Sequence, residues 1–190
     1  PNLQQAVGEL RTTLHGRFVW VAASTHPGEE EQILTTFELI KQQVAQCLLI
    51  LVPRHPSRFD EVAKLLEKNR LAFVRRSQGA ACTNNTAVLL GDTMGELNLF
   101  YSVADVAFVG GSLVNIGGHN LLEPAALGVA TITGPYTTNF KEITDKLLSA
   151  QAVCIVQDAH QLAAKIIEWF SQPDLRNLVG KNGLAVIEKN

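Results

Sequence analysis

Phe18-Val19-Trp20-Val21-Ala22-Ala23 is answered further along the chain by Cys47-Leu48-Leu49-Ile50-Leu51-Val52. Neither run carries a polar side chain, and both are too short for a typical helix. An alternating strand has one face in water, whereas an unbroken apolar strand must be covered on both faces, as parallel strands are. Ala87-Val88-Leu89-Leu90 reads the same way, and further strands are expected at Val103–Val109, Val129–Thr133 and Val153–Val156, with a short one at Leu71–Val74.

Longer amphipathic stretches lie between these runs. Pro27-Gly28-Glu29-Glu30-Glu31 places Pro and acids in a first helical turn, ahead of Ile33, Leu34, Phe37 and Ile40. Other helices are expected at Arg58–Asn69, Gly95–Tyr101, Asn120–Leu127, Lys141–Ser149, Ala159–Phe170 and Asp174–Glu188. Such alternation predicts an α/β fold, a three-layer Rossmann-like sandwich on a mainly parallel sheet. No repeat or linker divides it, so residues 1–190 read as a single domain.

Composition agrees. Of the 190 residues, 46% are hydrophobic and 18% charged, which excludes a disordered chain, and the net charge of −2 offers no field for nucleic acid. Cys47, Cys82 and Cys154 form no C-x-x-C pair, so neither a zinc site nor a disulfide framework is expected, and Cys47 and Cys154 in their apolar runs read as small buried hydrophobes. No apolar stretch reaches membrane-spanning length. The chain opens Pro-Asn-Leu-Gln-Gln without an initiator Met, which reads as a fragment of something longer.

Ligands of open α/β sheets bind beyond the carboxyl ends of the strands, and the informative loops follow strands. Phe108-Val109-Gly110-Gly111-Ser112 and then Gly117-Gly118-His119-Asn120-Leu121-Leu122-Glu123-Pro124 place two glycine pairs ahead of a helix start. The reading is a phosphate cradle of backbone N–H groups, with no Walker lysine and no G-x-G-x-x-G. Asn120 is either a helix cap or a ligand contact. Glu123 either completes a capping box or accepts the hydroxyls of a ribose, and the loop ahead of it favours the ribose. After the second strand, Val52-Pro53-Arg54-His55-Pro56 sets Arg54 and His55 where they can neutralise a leaving phosphate, on a segment stiffened by prolines. Gly91-Asp92-Thr93-Met94-Gly95-Glu96-Leu97 opens another helix; Gly95 permits close approach to a base, while Asp92 or Thr93 is alternatively an N-cap with Glu96 closing a capping box. In Ser24-Thr25-His26-Pro27-Gly28-Glu29, Ser24 or Thr25 can cap the helix, the acids can be ordinary first-turn residues, and His26 shares the ligand edge.

In this order the loops resemble the C-terminal half of the Kdo transferases, a GT-B family of glycosyltransferases. The matching stretches are residues 24–30, 53–56, 91–97, 108–112 and 117–124. The resemblance implies a donor, CMP-Kdo, and an acceptor, the lipid A precursor of lipopolysaccharide, at the cytoplasmic face of a Gram-negative inner membrane. It implies an inverting transfer with no metal and no cofactor. The CMP contacts carried over are Pro53, Arg54, Met94, Gly95, Glu96, Asn120, Leu121, Leu122 and Glu123, with His26, His55, Gly111, Ser112, Gly118 and His119 as further candidates. Met94 and the two leucines rest on the resemblance alone. Leu121 departs from the family pattern, which has Pro there.

The resemblance places the general base, the acceptor site and the membrane anchor in an N-terminal domain outside this chain. The chain alone is then expected to be soluble and to bind CMP without transferring a sugar. The rival expectations are a GT-B enzyme using a UDP-sugar, a nucleotide-sugar epimerase, and a non-catalytic nucleotide-binding module.

Overall fold

The computed structural model describes residues 2–189. The chain begins with helix α1 (Leu3–Leu14) and strand β1 (Val19–Thr25), followed by α2 (Glu29–Lys41), β2 (Leu48–Pro53), α3 (Phe59–Lys68) and β3 (Phe73–Arg75). Then come β4 (Val88–Leu90), α4 (Leu97–Val103), β5 (Val106–Val109), α5 (Leu122–Ala126) and β6 (Ala130–Thr133). The chain closes with α6 (Lys141–Ser149), β7 (Val153–Ile155), α7 (Ala159–Ser171) and α8 (Pro173–Lys189).

All strands pair in parallel in one sheet of order β3-β4-β2-β1-β5-β6-β7. The unbroken apolar runs are explained by the two cores. Trp20, Ala22, Leu49 and Leu51 point into one, while Val19, Val21, Ala23, Leu48 and Ile50 point into the other. Helices cover both faces, so the expected three-layer sandwich is what forms.

Topology locates the binding edge. From β1 the chain builds outward through β2 on one side and then crosses to β5 on the other. The connections therefore diverge between β1 and β5 and open a crevice beyond their carboxyl ends.

Several boundaries move. Helix α1 was not expected; Asn2 caps it by accepting from the Gln5 N–H at 2.8 Å, and its Leu10 and Leu14 are buried. The helix expected from Gly95 begins at Leu97, and the one expected over Asn120–Leu127 shortens to Leu122–Ala126. Helix α8 packs back on α5 and β6, because Gly180 and Gly183 have no side chain to keep it away from Gly128 and Ala125. Cys47 is buried and its thiol is pushed up to about 11 by burial, which makes it unreactive; Cys154 is only partly buried.

Candidate functional site

The turn after β5 is built around an acid. Gly110 donates to the Ala23 carbonyl at 2.6 Å, and a Cβ there would meet the carbonyls of Ala23 and Ser24 and the Glu29 carboxylate within 2.8 Å. The Glu29 side chain, with no solvent exposure, accepts the N–H groups of Gly111 (2.8 Å), Leu113 (3.0 Å), Ser112 (3.1 Å) and His26 (3.2 Å). Burial raises its carboxyl pKa, and those N–H groups pull against the rise.

This corrects the phosphate-cradle reading of the first glycine pair. The N–H groups of Gly111 and Ser112 are already bonded to the protein's own carboxylate. The Ser112 hydroxyl is equally internal, donating to the Val109 carbonyl and accepting from the Gly134 N–H. Gly118 is buried and donates to the Gly111 carbonyl. Ser24 and Thr25 do not cap α2; its N-cap is Gly28, which carries no side-chain bond. Glu29 and Glu30 are not ordinary first-turn acids, since both are fully buried.

Beside this turn a cleft of about 350 Å³ opens along the carboxyl edge of the sheet. Pro53 and Arg54 reach it from β2, Met94, Gly95 and Glu96 from the loop after β4, and His119, Asn120 and Glu123 from the segment before and into α5. Arg54 is exposed, and its guanidinium has no hydrogen-bond or ion-pair partner among the described residues. Its neighbours differ: Arg58 binds Glu30 and Glu61, Arg75 binds Asp60 and Asp92, and Arg76 binds Glu96. The Glu123 carboxylate is likewise unpaired among the described residues, so the capping box with Asn120 does not form. Asn120 instead accepts the Leu122 N–H at 2.9 Å, which holds the chain in a tight turn ahead of α5.

Glu96 is engaged on both oxygens, taking Arg76 at 3.0 Å and the Thr93 hydroxyl at 2.7 Å, and its pKa is lowered chiefly by Arg76. Thr93 therefore serves the carboxylate rather than capping α4. Asp92 is not a cap either. It accepts Ser77 and Arg75, which together outweigh the cost of its burial and keep its pKa low.

Leu121 and Leu122 do not line the cleft. Leu121, 1% exposed, packs beneath it with Val109, Ala125 and Leu147, and Leu122 faces outward.

Ser24, Tyr101 and Phe140 also line the cleft and were not among the expected contacts. Ser24 bulges from β1 with φ of 58°, a left-handed conformation at the crevice that nothing in the local sequence signals. In the sequence, Tyr101 marks only the end of the helix expected from Gly95.

His26, His55 and His119 gather behind Arg54. His26 Nε2 and His119 Nε2 are 2.7 Å apart, with the rings 2° from parallel and centroids 4.9 Å apart. That centroid separation is what rings meeting nitrogen to nitrogen give, so this is an in-plane N–H···N hydrogen bond rather than a face-to-face stack. His55 meets His26 edge-on at 5.4 Å. Gly111 makes room for the pair, since a Cβ there would lie 2.8 Å from His119 Cδ2.

Burial, then the charges of His26, Arg54 and His55, hold His119 at about 4, and burial followed by His55, Arg54 and Arg58 lowers His26. Both rings are therefore neutral near pH 7. The unfolded chain titrates His at the ordinary value of 6.5 and binds more protons than the folded one between there and about 4. The pair's stabilisation is thus complete above pH 6.5 and is lost as pH falls. Glu29, with its raised pKa, acts in the opposite sense on the acid side. We expect the urea midpoint to fall more steeply from pH 7 to 5 in wild type than in His119→Asn; parallel slopes would remove this assignment.

Among the described residues no group of His, Cys, Asp or Glu is arranged to hold a metal ion, and no helix is long and apolar enough to cross a membrane.

With this geometry in view, known proteins place the chain. The family model described as "Glycosyl transferases group 1" matches residues 26–186. A 3-deoxy-D-manno-octulosonic acid transferase of Haemophilus influenzae is 43% identical over the whole chain, which spans 45% of that relative's length. A crystal structure described as the C-terminal CMP-Kdo binding domain of WaaA from Acinetobacter baumannii superposes with a TM-score of 0.92 at 39% identity, covering 97% of both chains. Anabaena Alr3699/HepE in complex with UDP-glucose shares the fold alone, with a TM-score of 0.72 at 14% identity over 97% of this chain and 48% of that one. The chain thus belongs to the group 1 glycosyltransferases and, within them, to the C-terminal domains of the Kdo transferases.

Proposed function

We propose that the cleft holds the cytidine monophosphate end of CMP-Kdo. The observation that carries this reading is the pair of unspent charges facing the cleft. Among the described residues Arg54 has no acidic partner while Arg58, Arg75 and Arg76 do, and Glu123 has no basic partner. An unpaired guanidinium suits a phosphate, and an unpaired carboxylate beside it suits the two hydroxyls of a ribose. Met94, Gly95 and Glu96 lie at the remaining wall, where Gly95, at φ of 78° and with open space around its Cα, leaves room for a base edge to approach the backbone.

In the reaction we envisage, an acceptor hydroxyl attacks the anomeric carbon of Kdo as the bond to the CMP oxygen breaks. Charge developing on the phosphate meets Arg54 and the segment at Asn120, and that lowers the barrier. The proton of the acceptor hydroxyl passes to a base supplied outside this chain, as does the site for the lipid A precursor at the cytoplasmic face of the inner membrane. No metal or cofactor is assigned. The domain alone then binds nucleotide without turnover.

Calorimetry of the chain with CMP, UMP and cytidine tests this. CMP is expected to bind in preference to the other two, and Arg54→Ala to weaken CMP by at least about tenfold with little change for cytidine. Equal binding of CMP and UMP would favour a UDP-sugar enzyme, and an Arg54→Ala variant of unchanged affinity would discard the pocket.

A further inference from the structure

The His26–His119 pair sits against the cleft but has no role in the reading above. Its construction spans three elements: His26 follows β1, Gly111 follows β5, and His119 precedes α5. His26 is 6% exposed, its backbone N–H is fixed by Glu29, and it does not line the cleft, whereas His119 does.

The hydrogen bond between the two Nε2 atoms admits one proton, carried by one ring or the other. That choice sets what His119 shows to a ligand. If His119 carries the proton on Nε2, its Nδ1 is a lone pair. If His26 carries it, His119 must be protonated at Nδ1. That Nδ1 makes no hydrogen bond to the described residues and is not among the sealed, unpartnered atoms, which are Trp20 Nε1 and Thr25 Oγ1. It is therefore open, on a ring that borders the cleft within the electrostatic reach of Arg54. An anionic oxygen placed there repels the first arrangement and selects the second.

We propose that His26 is a positioning residue whose Nε2–H, donated to His119, holds His119 in the tautomer that turns an Nδ1–H donor on the phosphate of the bound nucleotide. This rests on the reading that the cleft binds a nucleoside monophosphate. Burial and the neighbouring charges of Arg54, His55 and Arg58 keep both rings neutral near pH 7, which the arrangement requires. His26 thereby supports Arg54 without touching the ligand itself.

Long-range ¹H–¹⁵N NMR of the histidine-labelled chain saturated with CMP reads the tautomer directly. The expected result is His119 protonated on Nδ1 and His26 on Nε2. Calorimetry supplies the energetic arm. His26→Phe and His119→Phe are each expected to weaken CMP about tenfold and leave cytidine unchanged, as loss of a donor to a charged oxygen does. His119→Asn, whose amide places a donor near the Nδ1 position, is expected to recover most of the CMP affinity. A CMP complex with His119 protonated on Nε2 overturns the proposal without touching the nucleotide reading, and does so without any variant having to fold. Equal losses for CMP and cytidine, or unchanged CMP affinity in both phenylalanine variants, also overturn it. Wild type that binds no CMP overturns the nucleotide reading and, with it, the phosphate role.

Discussion

Replacing Glu29 by alanine is expected to lower the unfolding free energy by roughly 4 kcal/mol or more, because each unmet buried donor costs about 1–3 kcal/mol. Four backbone N–H groups, from His26, Gly111, Ser112 and Leu113, lose their common acceptor at once. The nearby Ser112 hydroxyl and the carbonyls of Ala23 and Val109 already accept or exchange hydrogen bonds of their own. In a domain of this size the change corresponds to a melting temperature about 10 °C lower. Glu29→Gln keeps one acceptor oxygen but turns an NH₂ group on the remaining donors, so it is expected to recover only part of the loss. Thermal and urea unfolding of the two variants would check the order. An alanine variant within about 2 °C of wild type would show that water can replace the carboxylate, and the staple between β1 and the turn after β5 would lose its importance.

Arg58→Ala is the second large effect. Glu30 has no exposed side-chain area, and Arg58, itself 14% exposed, binds it through both Nη atoms at 2.8 and 3.0 Å. The same guanidinium holds Glu61, which is 67% exposed. Removing the arginine strands the Glu30 carboxylate in the interior, a change that costs about 3–5 kcal/mol in buried pairs. Glu61→Ala removes only an exposed partner and is expected to cost less than about 1 kcal/mol. Replacing both members together, as Glu30→Met with Arg58→Leu, is expected to restore most of the stability, since no charge is then left buried. Urea midpoints of the three variants settle the matter. Equal losses for Arg58→Ala and Glu61→Ala would mean that water reaches Glu30. Arg58 immediately precedes α3, so the pair ties the segment that follows Arg54 and His55 to α2.

Much of the fold was legible from local pattern. The unbroken runs at 18–23 and 47–52 demanded strands covered on both faces, and β4 and β7 follow the same rule, whereas β6 interleaves Thr131 and Thr133 that are nonetheless buried. Where the reading slipped, side-chain bonds competed with helix propensity. Thr93 and Glu96 bond to each other instead of starting a helix at Gly95, and Asn120 closes a tight turn that delays α5 to Leu122. Helix α1 escaped because Gly8 and two threonines dilute an apolar stripe that matters only once α4 is there to cover it.

The site divides in the same way. Arg54, Gly95, Asn120 and Glu123 were readable one by one as candidates, because each is a ligand-competent residue in the loop after a strand or in the first turn of the helix beyond it. The sequence by itself therefore determined the layered sheet, the edge that carries the chemistry, and the residue types available there. Only the tertiary structure decided which of those groups are free. A glycine-rich turn looks the same whether its N–H groups wait for a phosphate or are filled by Glu29, eighty-two residues away from Gly111. An arginine looks the same whether it is unpaired like Arg54 or bound like Arg58. Hydrogen-bond and charge partners are set by distances between elements remote in sequence, and those distances exist only after the sheet has assembled.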